Sequence, residues 1–334
     1  MSTYYYKYIL RILLFFSAIF SLPFFTSISA YASDFEIVDN ILVGYHGSGG
    51  NITIPGTVEK INSNVFLNNS HITTVNIQEG VFEICDNFFD GCNHMQKVHL
   101  PNTLKRIGRR AFANCRKMKE INLPPNLTKI DEEAFSGCKT FEKVSIPKSV
   151  SFICYSAFNN CTGIKSFKVA SDNKAYTSED DVLYTADKKT LLAYPLGKNE
   201  EQIQIRDGVI NIERCAFAYH PTLQKIIFPP SVKELQPFSF SCCLGLKEVT
   251  FPKTLKKIYQ YAFMYCTNLN RVYYEGKDIE TSAHAYDCCY SLIIYADEDS
   301  KAYRHTSLYN MNWLPLDDTK TIILPTEKSI SHIK

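Results

Sequence analysis

The chain has almost no net charge: 36 Lys and Arg stand against 34 Asp and Glu, a formal +2 at pH 7 over 334 residues. So small a balance gives no general pull toward nucleic acid or an anionic membrane surface. Past its N-terminal segment it has no apolar run able to cross a bilayer, which takes about 20 residues. No Cys-x-x-Cys occurs among its 12 cysteines, and the doublets Cys242-Cys243 and Cys288-Cys289 lack the spacing that favours zinc. No Gly-Lys-Ser/Thr comes after the HGSGG stretch at residues 46–50, and the next residues read as a strand, so that stretch is a turn and not a phosphate loop. The eight His have no recurring Asp or Ser partner. A catalytic set would interrupt the regular pattern of the chain, and no interruption is found outside one insertion. The chain therefore reads as a non-enzyme with no cofactor, no metal site and no nucleic-acid partner.

What is present is a period. The stretch from Lys97 to Met118, KVHLPNTLKRIGRRAFANCRKM, meets copies of itself when the sequence is shifted by 23 residues. One slot holds Pro55, Pro101, Pro124, Pro147, Pro229 and Pro252, with Gln78, Arg206 and Glu275 in the other copies. An aromatic column keeps the same step through Phe66, Phe89, Phe112, Phe135, Phe158, Phe217, Phe240, Phe263 and Tyr286. A cysteine column does so through Cys92, Cys115, Cys138, Cys161, Cys243, Cys266 and Cys289, with Asn69 and His220 as polar replacements. Nine copies share the frame, and the one irregular step, 59 residues from Pro147 to Arg206, is a repeat plus a 36-residue insertion.

Within a repeat, Val98 and Leu100 alternate with Lys97 and His99 and stop at Pro101, which suits a short strand ended by a residue that cannot donate to a ladder. Leu104 and Ile107 turn inward at the following bend. Ala111, Phe112, Cys115 and Met118 then fall at helical offsets, which predicts a short helix or helical turn on the opposite side. One repeat makes one coil, and a lone coil buries too little to stand without neighbours.

The recurring V-x-L/I-P-x-x-L/V-x-x-I-x-x-x-A-F-x-x-C-x-x-L resembles the BspA-like leucine-rich repeat family, known from bacterial surfaces and some parasitic protists. The resemblance spans about Asn51 to Leu292. It implies an α/β leucine-rich-repeat solenoid of about nine coils, short parallel strands on one face and short helices or helical turns on the other. It also implies binding of other proteins or adherence to host surfaces. Val65-Phe66, Phe88-Phe89 and Ser239-Phe240 replace the family's Ala-Phe, and the ninth repeat lacks its Pro.

The organisation expected around the repeats (51–169 and 203–292) starts with a signal peptide over 1–32. Lys7 and Arg11 precede an apolar run, and Ala30-Tyr31-Ala32 has the small-x-small form of a cleavage site; an uncleaved anchor helix is the alternative. A cap hairpin is expected over 33–50, an insertion hairpin over 170–202, a C-terminal cap over 293–316 with Trp313 packed at the end, and a tail over 317–334. The chain is thus expected to be secreted or held at the cell surface, with no transmembrane span after signal removal. Sequons at Asn51, Asn68, Asn126 and Asn160 matter only in a eukaryotic source.

Cysteines in an exported chain suggest disulfides, yet seven occupy one inward column, so a buried ladder of reduced thiols is expected; some of Cys85, Cys154, Cys215, Cys242 and Cys288 could pair. Four residues before the proline slot, Lys97, Glu120, Lys143, Lys225, Glu248 and Arg271 set opposite charges beside one another, a matter of solubility and register. Two residues before the slot, the column Thr53, Asn76, His99, Asn122, Ser145, Gln204, Ile227, Thr250 and Tyr273 is uncharged and irregular. Stacking requires nothing specific there, so its variety reflects either drift or recognition, and this column is the candidate partner-binding surface. Tyr176, Tyr184 and Tyr194 make the insertion a second candidate, as aromatic anchors on a loop held by a rigid scaffold; the alternative is a hairpin that only covers the stack. The function read from this is an exported protein-binding module, a surface or secreted adhesin for a host or matrix protein. A passive structural component of an envelope or matrix is the alternative.

Overall fold

A computed structural model describes residues 34–316; the expected signal segment and the tail lie outside them. Each repeat is one coil of a solenoid, with a strand before the proline slot and a second, two-residue strand that begins five residues after it, as Arg106–Ile107 does after Pro101. The alternation of apolar and polar residues decides which side chains go in: Val144 and Ile146 are buried while Lys143 and Ser145 face out. Strands of the first sheet lie at Gly50–Ile54, Ile72–Ile77, Lys97–His99, Lys143–Ile146, Ser166–Val169, Gln202–Gln204, Lys225–Ile227, Glu248–Phe251, Arg271–Tyr274, Ile293–Ala296 and Asn312–Pro315. Parallel pairing steps through them in the repeat register, as in Glu248↔Arg271, and thins to the single bridge Glu120↔Lys143 at the Pro124-Pro125 coil.

The second sheet is a finding the repeat spacing did not announce. Its strands, such as Glu83–Ile84, Arg106–Ile107 and Lys129–Ile130, are short enough to hide inside the bend between two apolar residues. They pair in parallel, Glu83↔Arg106 and Arg106↔Lys129.

Of the short helices or helical turns expected in the repeats, the described residues form turns. The only α-helix among the described residues is Lys301–Leu308, in the C-terminal cap, with a short 3-10 turn at Leu196–Lys198. Ala111, Phe112, Cys115 and Met118 do point inward, but from paired tight turns. Arg110 and Asn114 sit at φ 54° and 58°, in the left-handed region, and break helical progression every four residues. Amides between them alternate: Ala113 N donates to Arg110 O at 3.1 Å within the coil, whereas Phe112 N donates to Ala134 O at 2.8 Å in the next. Local sequence gives the turn; the neighbouring coil satisfies its backbone.

The core is two columns deep in the stacking direction. Ring centroids of Phe66, Phe89, Phe112, Phe135 and Phe158 succeed one another at 5.3 to 5.5 Å, and a second series runs from Tyr194 through Phe217, Phe240 and Phe263 to Tyr286 at 4.8 to 5.6 Å. Beside them each ladder cysteine donates its thiol to the carbonyl of the aromatic residue one coil back, from Cys92 to Phe66 O at 3.1 Å through Cys289 to Phe263 O at 3.2 Å. All twelve cysteines are free thiols.

The insertion is itself a coil. Tyr176–Glu179, Val182–Thr185 and Thr190–Ala193 form an antiparallel meander, and its last strand joins the second sheet through Leu191↔Ile212. Tyr194 supplies the aromatic column, 23 residues before Phe217. Tyr194 comes only three positions after Leu191, where in a regular coil Phe112 comes five positions after Ile107. The outer turn is therefore missing, and a seam results. Ser166–Val169 does not pair with Gln202–Gln204, nor Phe152–Ile153 with Thr190–Ala193, and the ring series stops between Phe158 and Tyr194. Across it, Ile153 N donates to Tyr176 Oη at 2.7 Å and Gly197 N to Ile164 O at 2.7 Å.

At the N-terminal end, Phe35–Val38 and Ile41–Tyr45 form a hairpin whose turn is Asp39-Asn40, both at positive φ, and not the Gly-rich stretch. Gly49, at φ 94°, instead lets the backbone pass His71, whose atoms a Cβ would meet at 2.4 Å. At the other end Ser300 Oγ caps the helix by accepting from Tyr303 N, and Trp313 Nε1 donates to Ala296 O at 3.1 Å.

Candidate functional site

The outward column of the first sheet runs in three paired segments in the folded chain, broken around the Asn122 coil and at the seam. Thr53, Asn76 and His99 lie side by side in register, as do Ser145 and Lys168, Gln204 and Ile227, and Thr250 and Tyr273. His99, Asn122, Ser145, Gln204 and Thr250 are exposed; Ile227 and Tyr273 are half-buried. Asn122 sits in the coil where the ladder thins, off any strand. Burial raises the Tyr273 hydroxyl above its ordinary pKa, with Arg271 opposing.

Three members of this surface escaped sequence reasoning. Lys168 belongs to the coil whose proline slot is Ala170 and was hidden by the insertion; its ammonium pairs with Asp181 at 2.5 Å. Tyr295 and Leu314 extend the column beyond Tyr273, in the register Tyr273↔Tyr295↔Leu314. Tyr273 and Tyr295 stack at 4.7 Å and 21°. The signal was the apolar alternation of IIYA and NWLP, which carries no repeat landmark. The charge column beside it does form pairs, Lys225 and Arg271 reaching Glu248 at 3.6 and 3.3 Å, contacts worth about 0 to 1 kcal/mol at such exposure.

The insertion tyrosines are turned largely into the protein. Tyr184 and Tyr194 are only 4% and 7% exposed. Tyr184 lies under Arg206, and burial pushes its hydroxyl up to about 12. Tyr194 donates to Glu200 Oε2 at 2.6 Å, and burial with that carboxylate raises its pKa further. Tyr176 is half-buried, with its hydroxyl held between Ile153 N and Ser151 O. The same aromatic bulk that suggested recognition fills the aromatic column and braces the seam.

The thiols offer no nucleophile in the ladder. Burial pushes Cys92 up to about 12 and Cys115, Cys161 and Cys266 well above the ordinary thiol value. Among the described residues no group of three or more His, Cys, Asp and Glu could hold a metal. At the seam a cavity of about 20 Å³, lined by Phe158, Cys161, Tyr194 and Cys215, has room for a single water molecule.

A family model of the BspA type leucine rich repeat region matches residues 44–178 and 196–310, in six copies. The chain belongs to that family. The unmatched stretch between the two segments falls on the meander that closes the seam. Solved structures resemble this BspA-type chain at the level of fold. A leucine rich cell surface protein from Faecalibacterium prausnitzii is 23% identical over 80% of this chain and 93% of its own, with a TM-score of 0.50. A leucine-rich repeat protein from Bacteroides ovatus is 24% identical over 77% of this chain and 65% of its own, with a TM-score of 0.55. One from Eubacterium ventriosum is 22% identical over 77% and 80%, with a TM-score of 0.54. No curated protein matches the chain.

Proposed function

We propose that this BspA-type chain is an exported protein-binding module, a secreted or surface adhesin whose first-sheet face contacts a host or matrix protein, and that it carries no catalytic activity. The observation that supports this reading is the run Ile227, Thr250, Tyr273, Tyr295 and Leu314: an uncharged strip, aromatic at its centre, on a sheet whose other face is locked into the core. Rigid, half-buried aromatic and apolar side chains are the type that dominates interface energy. Export rests on the N-terminal segment, with cleavage after Ala32, and on membership of a family with a cell-surface protein among its structural relatives.

The test is surface plasmon resonance of the secreted chain over a panel of purified extracellular-matrix proteins, with the double variant Tyr273→Ala, Ile227→Ala. The variant is expected to lose about 2 to 4 kcal/mol of affinity for the partner found, with an unchanged melting midpoint. Affinity that ignores the pair refutes the strand-face assignment. Self-assembly at micromolar concentration, with no saturable partner, would favour a passive envelope or matrix component.

A further inference from the structure

The two left-handed turn positions of each coil form columns on the outer edge, and their occupants change at the seam. Before it they are Asn64, Asn87, Arg110 and Glu133 in one column and Asn68, Gly91, Asn114, Gly137 and Asn160 in the other, all at positive φ. Asn and Gly are the residues that tolerate this region at least cost. After the seam the same positions hold Cys215, Phe238 and Tyr261, and Tyr219, Cys242, Tyr265 and Cys288, at φ 58° to 66°. Bulky side chains there are strained, and such strain, held by the surrounding structure, clusters at functional sites.

These residues make a ridge. Phe238 stacks on Tyr261 at 5.0 Å and Tyr261 on His284 at 5.5 Å. At the seam end the Arg214 guanidinium lies 4.8 Å from the Tyr155 ring centroid and 5.7 Å from that of Phe238. Tyr155, Tyr219, Leu244, Tyr265 and Tyr290 are exposed beside it. Charge falls away in step: before the seam this edge carries ion pairs, Arg110 with Asp90 at 2.8 Å and with Glu133 at 2.6 Å. Between Arg214 and the His284–Asp287 pair the ridge residues are uncharged.

We propose that this ridge is a second docking surface, and that its occupant is an extended, uncharged, apolar peptide segment of a protein partner. Size decides against a folded partner or a second copy of the chain. From Cys215 to His284 the ridge spans four coils, and three steps at about 4.8 Å make it roughly 14 Å long, which matches about four extended residues. Two side chains wide, it falls well short of the about 800 Å² per side that a stable folded interface covers. Charge complementarity asks for an uncharged segment over the middle of the ridge, since between Arg214 and the His284–Asp287 pair a buried charge would meet no counter-ion. Against a sugar, the faces of Phe238 and Tyr261 are spent on one another, on Arg214 and on His284.

This inference rests on the reading of the chain as a protein-binding module but uses a different surface, so the two can fail separately. The test selects a phage-displayed library of short random peptides on the secreted chain. Selected peptides are expected to be uncharged and rich in apolar and aromatic residues. They should bind the quadruple variant Tyr219→Asn, Phe238→Asn, Tyr261→Asn, Tyr265→Asn at least about tenfold more weakly. The same variant should melt no lower than the parent, because Asn relieves the left-handed strain. Single variants Tyr219→Asn and Tyr265→Asn serve if the quadruple one fails to fold. Binding by Tyr273→Ala, Ile227→Ala should be unaffected. The proposal is overturned if no peptide is enriched, if the enriched peptides are charged, if the Asn variants bind them as well as the parent, or if a glycan array shows ridge-dependent binding in their place.

Discussion

His220 stands where the ladder has a cysteine, and it should make the solenoid sensitive to acid at one identifiable point. Its ring has no exposed surface. Nδ1 accepts from Leu223 N at 3.1 Å, so the proton of the neutral ring sits on Nε2, which has no partner. Protonation would place a second donor against the Leu223 amide and a charge in the core, and burial lowers the pKa from 6.5 to about 4. Between those values the unfolded chain holds a proton that the folded chain refuses. The full contribution is present above pH 6.5 and is lost as pH falls toward 4, with no further loss below. From the two values the loss is about 2 kcal/mol at pH 5 and about 3 kcal/mol at pH 4. Asn is the natural control, because Asn69 in the equivalent place accepts from Ile72 N at 3.3 Å without titrating. Urea unfolding of the parent and His220→Asn at pH 7.5, 6, 5 and 4 should give stabilities that diverge by those amounts. The comparison cancels His305, whose pKa burial also lowers. Parallel curves down to pH 4 would refute the assignment.

The stacked columns carry two further expected outcomes. Phe135 lies between Phe112 and Phe158, parallel within 3° to both, so Phe135→Ala should cost about 3 to 5 kcal/mol; Phe158→Ala, at the open seam, should cost less, and equal losses in thermal denaturation would deny the seam. Iodoacetamide should leave Cys115, Cys138 and Cys266 unlabelled in native protein and label all twelve cysteines after denaturation without reductant, read by mass spectrometry; a reductant-dependent count would show disulfides.

The repeat was legible because each inward column demands one residue type at one interval: nine aromatics and seven cysteines in step leave little else to build. Helices and turns stood as alternatives in the sequence because inward-facing residues of a double turn share helical offsets, and only the positive φ of residues such as Arg110 and Asn114 separates the two. The second sheet was hidden by strands two residues long, such as Arg106–Ile107. Tyr184 and Tyr194 misled because burial is a property of the folded neighbour: nothing local tells a tyrosine that fills a column from one that meets a partner. The outer-edge aromatics were open to view in the sequence, at fixed offsets from each proline slot, but their meaning needed the backbone angles that make them costly.

The seam also bears on how the molecule carries load. A tether pulled at both ends transmits one force through every coil interface in series, so it parts where fewest bonds must shear together. Elsewhere at least one strand ladder or the column of interlocked rings crosses the interface; between Phe152–Ile153 and Thr190–Ala193 neither ladder is continuous and the ring series stops as well. Under tension this solenoid would fracture there first, into two blocks that keep their own stacked cores, with the slack of the meander drawn out between them.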